Sequence, residues 1–161
     1  MALRNIVREG DEILRKRCRE VTEIDDRVRM ILDDMAETMR YYNGVGLAAP
    51  QVGIMRRMFT VEPEEGELIE IINPEIAEVS GAQTGEEGCL SVPGYVGTVV
   101  RPEYIKITGL DRYGNPVSYE GTGLKAVALS HEMDHIEGVL YVDKAEGIHE
   151  AEEEEEEKRR G

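Results

Sequence analysis

The stretch ALSHEMDH, Ala128–His135, ends in the pattern His-Glu-x-x-His. Its two histidines are four residues apart. On a helix that spacing turns both imidazoles to one side; on a strand it would hold them about 13 Å apart. Around the pattern, Leu124, Ala126, Val127 and Ala128 give an apolar flank and Gly138 a stop, so a helix is predicted over 123–137. His131 and His135 then offer two ligands to one metal ion. Glu132 lies one step round, within reach of a water held by the ion rather than of the ion itself. A divalent ion brings the pKa of such a water toward about 7. A carboxylate beside it can take the proton and pass it to a leaving amine. A chance match on a surface helix is the competing reading, but two of the chain's three histidines fall in this one pentapeptide.

A hydrolytic site needs a third protein ligand and an open fourth position. Three completions compete. The extended pattern HExxHxxGxxH is disfavoured, because the chain reads HEMDHIEGVLY and places Tyr141 where the last His would stand. A Glu on a later helix would have to come from the acidic tail, which has no apolar face to hold a ligand still. The third is Cys89, in EEGCLS between glycine-rich turns, whose thiolate is a strong soft ligand for zinc or iron. Cys18, in RKRCREV, serves as a comparison. It reads as filler at the edge of the core, although the cations around it favour a lowered pKa. His149 reads as a solvated surface residue.

Outward from the pattern, the rest of the chain is mostly strand. A helix is predicted over 24–42, where Val28, Ile31, Leu32, Met35 and Met39 recur at helical steps and Asn43-Gly44 ends them. GVGLAAPQVG, Gly44–Gly53, reads as a loop whose backbone is open to close approach. Strands follow at Met58–Glu62 and Leu68–Ile76, with Asn73-Pro74 as a break. Gly81–Gly97 reads as irregular, and further strands flank the turn Arg112–Pro116. The fold class is therefore α+β: small antiparallel or mixed sheets packed around a central helix that carries HExxH. Residues 1–148 are expected to form a single catalytic domain and 149–161 an acidic tail.

The chain has 161 residues, enough for one domain with a real core, and a net charge of −15. That balance argues against direct nucleic-acid binding, which needs clustered cations, and points weakly to a monomer. No apolar run reaches membrane-spanning length, so no membrane association is expected. The first residues lack the apolar core of a secretory signal. Two cysteines make a poor disulfide framework. A cytoplasmic location is the expectation.

Three stretches in this order, GVGLAAPQVG, EEGCLS and HEMDH, resemble the motifs of peptide deformylases across about 90 residues. The resemblance implies removal of the N-formyl group from the formylmethionine of newly made proteins; a zinc peptidase of different specificity is the alternative. It implies Cys89, His131 and His135 as metal ligands and Glu132 as general acid and base. It also implies Gln51 as side-chain donor to the developing oxyanion and the backbone N–H of Leu90 as the second donor. Gly46 matches the position where loop backbone holds the peptide. Val45, Leu124, Val127 and Ala128 flank the ligands as candidates for the methionine pocket, with plain core packing as the equal alternative. The resemblance implies ferrous iron, one ion per chain, replaceable by zinc, nickel or cobalt. Asp134 reads either as a brace behind the ligands, paired with Arg101, or as a solvent-facing acid. Two departures stand out. Ser130 replaces a common Gln, and the tail is acidic where some relatives carry a basic helix toward the ribosome. Ribosome association through another surface and diffusional encounter with the nascent chain both stay open.

Overall fold

The computed structural model describes residues 2–151. Helix α1 spans Asp26–Tyr41, strand β1 Gly46–Ala48, β2 Met58–Val61, β3 Ile69–Ser80, β4 Gln83–Cys89, β5 Val92–Arg101, β6 Tyr104–Leu110 and β7 Pro116–Thr122. Helix α2 spans Gly123–Ile136 and β8 Glu146–Glu150. One antiparallel sheet has the order β1-β2-β3-β6-β7, and a second has β4-β5-β8. The α+β class holds, and both helices lie where their periodicity places them.

The five-stranded sheet is the middle layer. On one face Phe59, Val61, Ile71, Ile105 and Ile107 pack on Ala126, Leu129, Met133 and Ile136 of α2. On the other, Met58, Ile72 and Leu47 pack on Ile31, Leu32, Met35 and Met39 of α1. Strand alternation explains the split, since Met58 and Phe59, or Leu47 and Ala48, point to opposite faces. The methionines of α1 are core. A helix that carries polar ligands is thus seated on a fully apolar sheet face. Each buried large aliphatic there contributes about 1.5–3 kcal/mol toward holding it.

The helix ends follow their local chemistry. Asp25 caps α1 by accepting from the Val28 N–H at 3.1 Å. Asn43, at φ 58°, then turns the chain out. At the end of α2 the N–H groups of Gly138 and Val139 return to the carbonyls of His135 and Asp134. Gly138 sits at φ 80°, and a Cβ there would collide with the Arg15 backbone.

Three expectations are corrected. Gly44–Gly53 is not all loop: Gly46–Ala48 forms edge strand β1, and Ala49–Val52 is a 3-10 turn. Asn73-Pro74 does not break β3. It forms an irregularity through which the strand runs on to Ser80, with Asn73 at φ 52° and its side-chain amide bonded to both backbone groups of Val21. Proline, lacking an N–H, fits such a place. Gly81–Gly97 is a long hairpin, β4–β5, turning at Leu90-Ser91. Its glycines hide the strand pattern. Gly97 is there because β8 passes so close that a Cβ would lie 2.8 Å from that of Ala145. The boundary expected at 148/149 falls inside β8, and the acidic run from Glu152 lies outside the described residues.

Candidate active site

The β4–β5 turn and α2 bring three donors together. Cys89 closes β4, and His131 and His135 face it from the helix. The Cys89 Sγ lies 3.4 Å from His135 Nε2, which lies 3.0 Å from His131 Nε2. All three donor atoms fall within 4.8 Å of one another and all three residues are buried. A tetrahedral ion at usual bond lengths separates two nitrogens by about 3.3 Å and a nitrogen and a sulfur by about 3.6 Å. The donor set therefore fits a divalent metal. Burial works against a charge on His131, yet hydrogen bonds to Cys89 and Glu87 and the charge of Glu132 raise its pKa well above the ordinary value. His135, buried beside it, is held well below.

Glu87 fixes which nitrogen of His131 is free. Its Oε1 lies 3.0 Å from His131 Nδ1 and accepts that proton, leaving Nε2 for the ion. Arg101, 2 % exposed, donates to both oxygens of Glu87 at 2.8 Å and to Asp134 at 2.6 Å. Asp134 also takes Lys144 at 2.9 Å. Burial would raise the Glu87 pKa, but the bonds from Arg101 and His131 overcome it and lower it to about 2. Two anions and two cations thus alternate behind His131, and of the two readings of Asp134 the pair with Arg101 is the one present. The Ser130 hydroxyl accepts from Arg101 at 3.3 Å, so this departure from the common Gln joins the same network.

Glu132 differs from every other acid nearby. Both carboxylate oxygens are buried without a hydrogen-bond partner among the described residues. Burial pushes its pKa up to about 7. A group poised there can both take and give a proton at neutral pH. Gly46 makes room for it, since a Cβ at Gly46 would run into the Glu132 carboxylate.

Gln51 is wholly buried and its amide has one orientation. Its Oε1 accepts from the Ala48 N–H at 2.9 Å, so Nε2 is aimed at the Cys89 sulfur, 3.4 Å away, and at Ser91 Oγ, 3.1 Å away. Leu90 follows Cys89 in the turn. Val45 and Val127 are half-buried, Ala128 is buried and Leu124 is 56 % exposed. Cys18 is buried away from the cluster, and burial raises its thiol to about 11 in spite of Arg57 and Arg56, so the cations near it do not activate it. His149 is exposed in β8.

Four contributors, Lys144 among them, are not among the residues singled out from sequence. Glu87 and Ser91 lie in the stretch read as irregular, and a strand reading of 83–89 would have brought Glu87 to the helix beside Cys89. Tyr141, used only to reject a third His, stacks on the His131 ring with centroids 6.3 Å apart.

An α+β core holding a Cys-His-His cluster, a buried carboxylate and an aimed amide is that of a metal hydrolase acting on a small carbonyl group. A family model described as polypeptide deformylase matches residues 3–151. A peptide deformylase of Agathobacter rectalis is 52 % identical over 147 residues, covering 91 % of this chain and 92 % of that one. One of Caldanaerobacter subterraneus subsp. tengcongensis is 54 % identical, with 89 % and 90 % covered. The crystal structure of the Thermotoga maritima peptide deformylase superposes with a TM-score of 0.87 at 40 % identity, covering 89 % of this chain and 98 % of that one. That of Legionella pneumophila gives 0.87 at 43 % identity, with 90 % and 87 % covered. The chain belongs to the polypeptide deformylase family.

Proposed function

We infer that this chain hydrolyses the N-terminal formyl amide of formylmethionyl polypeptides as they are made, releasing formate and a free α-amine. The observation that carries this reading is the buried Glu132, without a hydrogen-bond partner among the described residues, set beside the Cys89–His131–His135 cluster. A structural metal site would take four protein ligands and no acid or base.

Cys89 Sγ and the Nε2 atoms of His131 and His135 would hold the ion, which supplies a Lewis acid and lowers the pKa of water. Glu132 accepts the proton of the attacking water and returns it to the amine nitrogen as the C–N bond breaks. The carbonyl oxygen gains charge on the way. Gln51 Nε2 and the Leu90 N–H take it up, each donor being worth about 3–4 kcal/mol in such sites. Because the Ala48 N–H pins the Gln51 oxygen, Nε2 is kept on the side of the Cys89 sulfur. Strand β1 is an edge of the five-stranded sheet, so the Gly46 backbone can receive the substrate as an added strand. Val45, Leu124, Val127 and Ala128 form the apolar side for methionine; the exposure of Leu124 suits a contact completed by substrate.

We assign ferrous iron as the ion on the family resemblance, with zinc, nickel or cobalt able to replace it; the Cys-His-His donor set taken alone suits zinc. Activity that decays in air and survives with nickel supports iron; air-stable activity with zinc alone opposes it. No helix among the described residues is long and apolar enough to cross a membrane. We read the chain as cytoplasmic, and its net charge of −15 as pointing to a monomer. It meets nascent chains by diffusion or through a ribosome contact that does not use a basic C-terminal helix. Formate release from formyl-Met-Ala, set against acetate release from acetyl-Met-Ala, tests the reaction. Equal cleavage of both, or of neither, would sink it.

A further inference from the structure

The segment before α1 lies against both of the loops that carry oxyanion donors. Residues 2–8 have no regular secondary structure, yet they are tied down along their length. The Ala2 N–H donates to Asp34 Oδ1 at 2.8 Å, and the Arg4 N–H to Thr38 Oγ1 at 2.9 Å. The Arg4 guanidinium pairs with Asp34 at 2.9 Å. Asp34 and Thr38 are buried polar residues on α1, 3 % and 0 % exposed, and these bonds satisfy them. Ile6 packs against the α1 core. Beyond these anchors, the Val7 N–H donates to the Gln51 carbonyl at 2.7 Å and the Glu9 N–H to the Ser91 carbonyl at 2.8 Å. Gln51 and Ser91 are 40 residues apart in sequence, and their side chains touch at 3.1 Å.

We propose that this N-terminal strap positions the oxyanion site, with the N–H groups of Val7 and Glu9 setting the spacing between the Gln51 amide and the Leu90 N–H. The inference rests on the roles proposed above for those two donors. Neither belongs to a long element that would hold it. Gln51 sits in a four-residue 3-10 turn and Leu90 in a two-residue hairpin turn. The strap gives both one common reference, tied in turn to buried side chains of α1. Donors must meet an oxygen whose position changes by tenths of an ångström as the tetrahedral state forms, so slack between them costs rate rather than binding.

Glu9 permits a clean test. Asp11 N–H returns to the Arg8 carbonyl at 3.2 Å, and Gly10 stands third in that turn at φ 104°. Glu9 is therefore second, where proline is favoured. Glu9→Pro removes one N–H from an exposed residue with little backbone strain. Glu9→Ala removes the same carboxylate, which lies 3.8 Å from Arg15, and keeps the N–H. In the metal-loaded full chain, Glu9→Ala should stay within about twofold of the parent, and Glu9→Pro should lower kcat about tenfold with KM and metal content little changed. Val7→Pro should do the same from the Gln51 side. Amide hydrogen exchange at Gln51 and Leu90 should quicken in Glu9→Pro and not in Glu9→Ala, a readout that needs no substrate. Equal kcat and equal exchange in the two Glu9 variants would overturn the strap. So would a Glu9→Pro variant whose only defect is lost metal or a lower Tm. A parent protein inactive on formyl-Met-Ala would sink the proposed function, while the exchange comparison would still decide the strap.

Discussion

The two sides of the site are held by different forces. Behind the ligands stands a run of ions alternating in sign, from Glu87 and Arg101, buried against His131, outward through half-buried Asp134 to exposed Lys144. Around the oxyanion donors stand neutral hydrogen bonds: Ala48 to Gln51, Gln51 to Ser91, and the strap to both loops. The difference follows what each side must do. A resident cation is a permanent charge, and a compensated ionic frame can face it without net cost. The oxyanion is transient, so fixed dipoles serve it better than a full charge that would also bind the ground state. Even the two imidazoles share the asymmetry. His131 leans on a carboxylate, whereas His135 Nδ1 is buried with no partner among the described residues.

Substitutions that hit one side should leave the other's readout alone. The largest effect falls on the ligands: Cys89→Ala is expected to abolish metal retention after dialysis, read by metal analysis. Retained metal with activity would show that the ligand set is misassigned. Gln51→Ala should keep the metal and lower kcat about 10²–10³-fold, the usual loss for one oxyanion donor. Glu87→Gln should weaken metal affinity about 10–100-fold in a chelator competition, because the His131 Nδ1–H loses its anionic acceptor. An unchanged affinity would reduce the network to packing. The smallest effect is on stability in acid. The folded Glu87 pKa is about 2, below the ordinary value of 4.5, so its charge favours the fold. That contribution is fully present above about pH 4.5 and is lost as pH falls through about 2. The unfolding free energies of metal-free parent and Glu87→Gln should therefore converge as pH is lowered from 5 toward 3.

Much of this was legible in the residues, and the parts that were not share a cause. HEMDH, the apolar steps of α1, Asn43-Gly44 and Gly138 all signal through local spacing, and the structure places them as read. The pairing of Arg101 with Asp134 is one of two readings the sequence leaves open for that acid, the other being a solvent-facing side chain. The β4–β5 hairpin is hidden because Gly85, Gly88, Gly94 and Gly97 interrupt alternation; Gly94 is fixed by its positive φ and Gly97 by the close approach of Ala145 and Ile148, far off in sequence. Glu87 was hidden with it. The strap was invisible for a different reason. Its bonds are made by backbone N–H groups, which every residue but proline owns, so no side-chain pattern announces them.

Glu132 gives the most direct test of the account, because it separates holding the metal from using it. Glu132→Ala, assayed for bound metal and for formate release from formyl-Met-Ala in the same preparation, should carry the parent's full complement of ion. Its turnover should fall by about 10²–10⁴-fold. Full metal with undiminished turnover would contradict the acid–base role, and loss of the ion would show that Glu132 belongs to the metal's hold rather than to the chemistry.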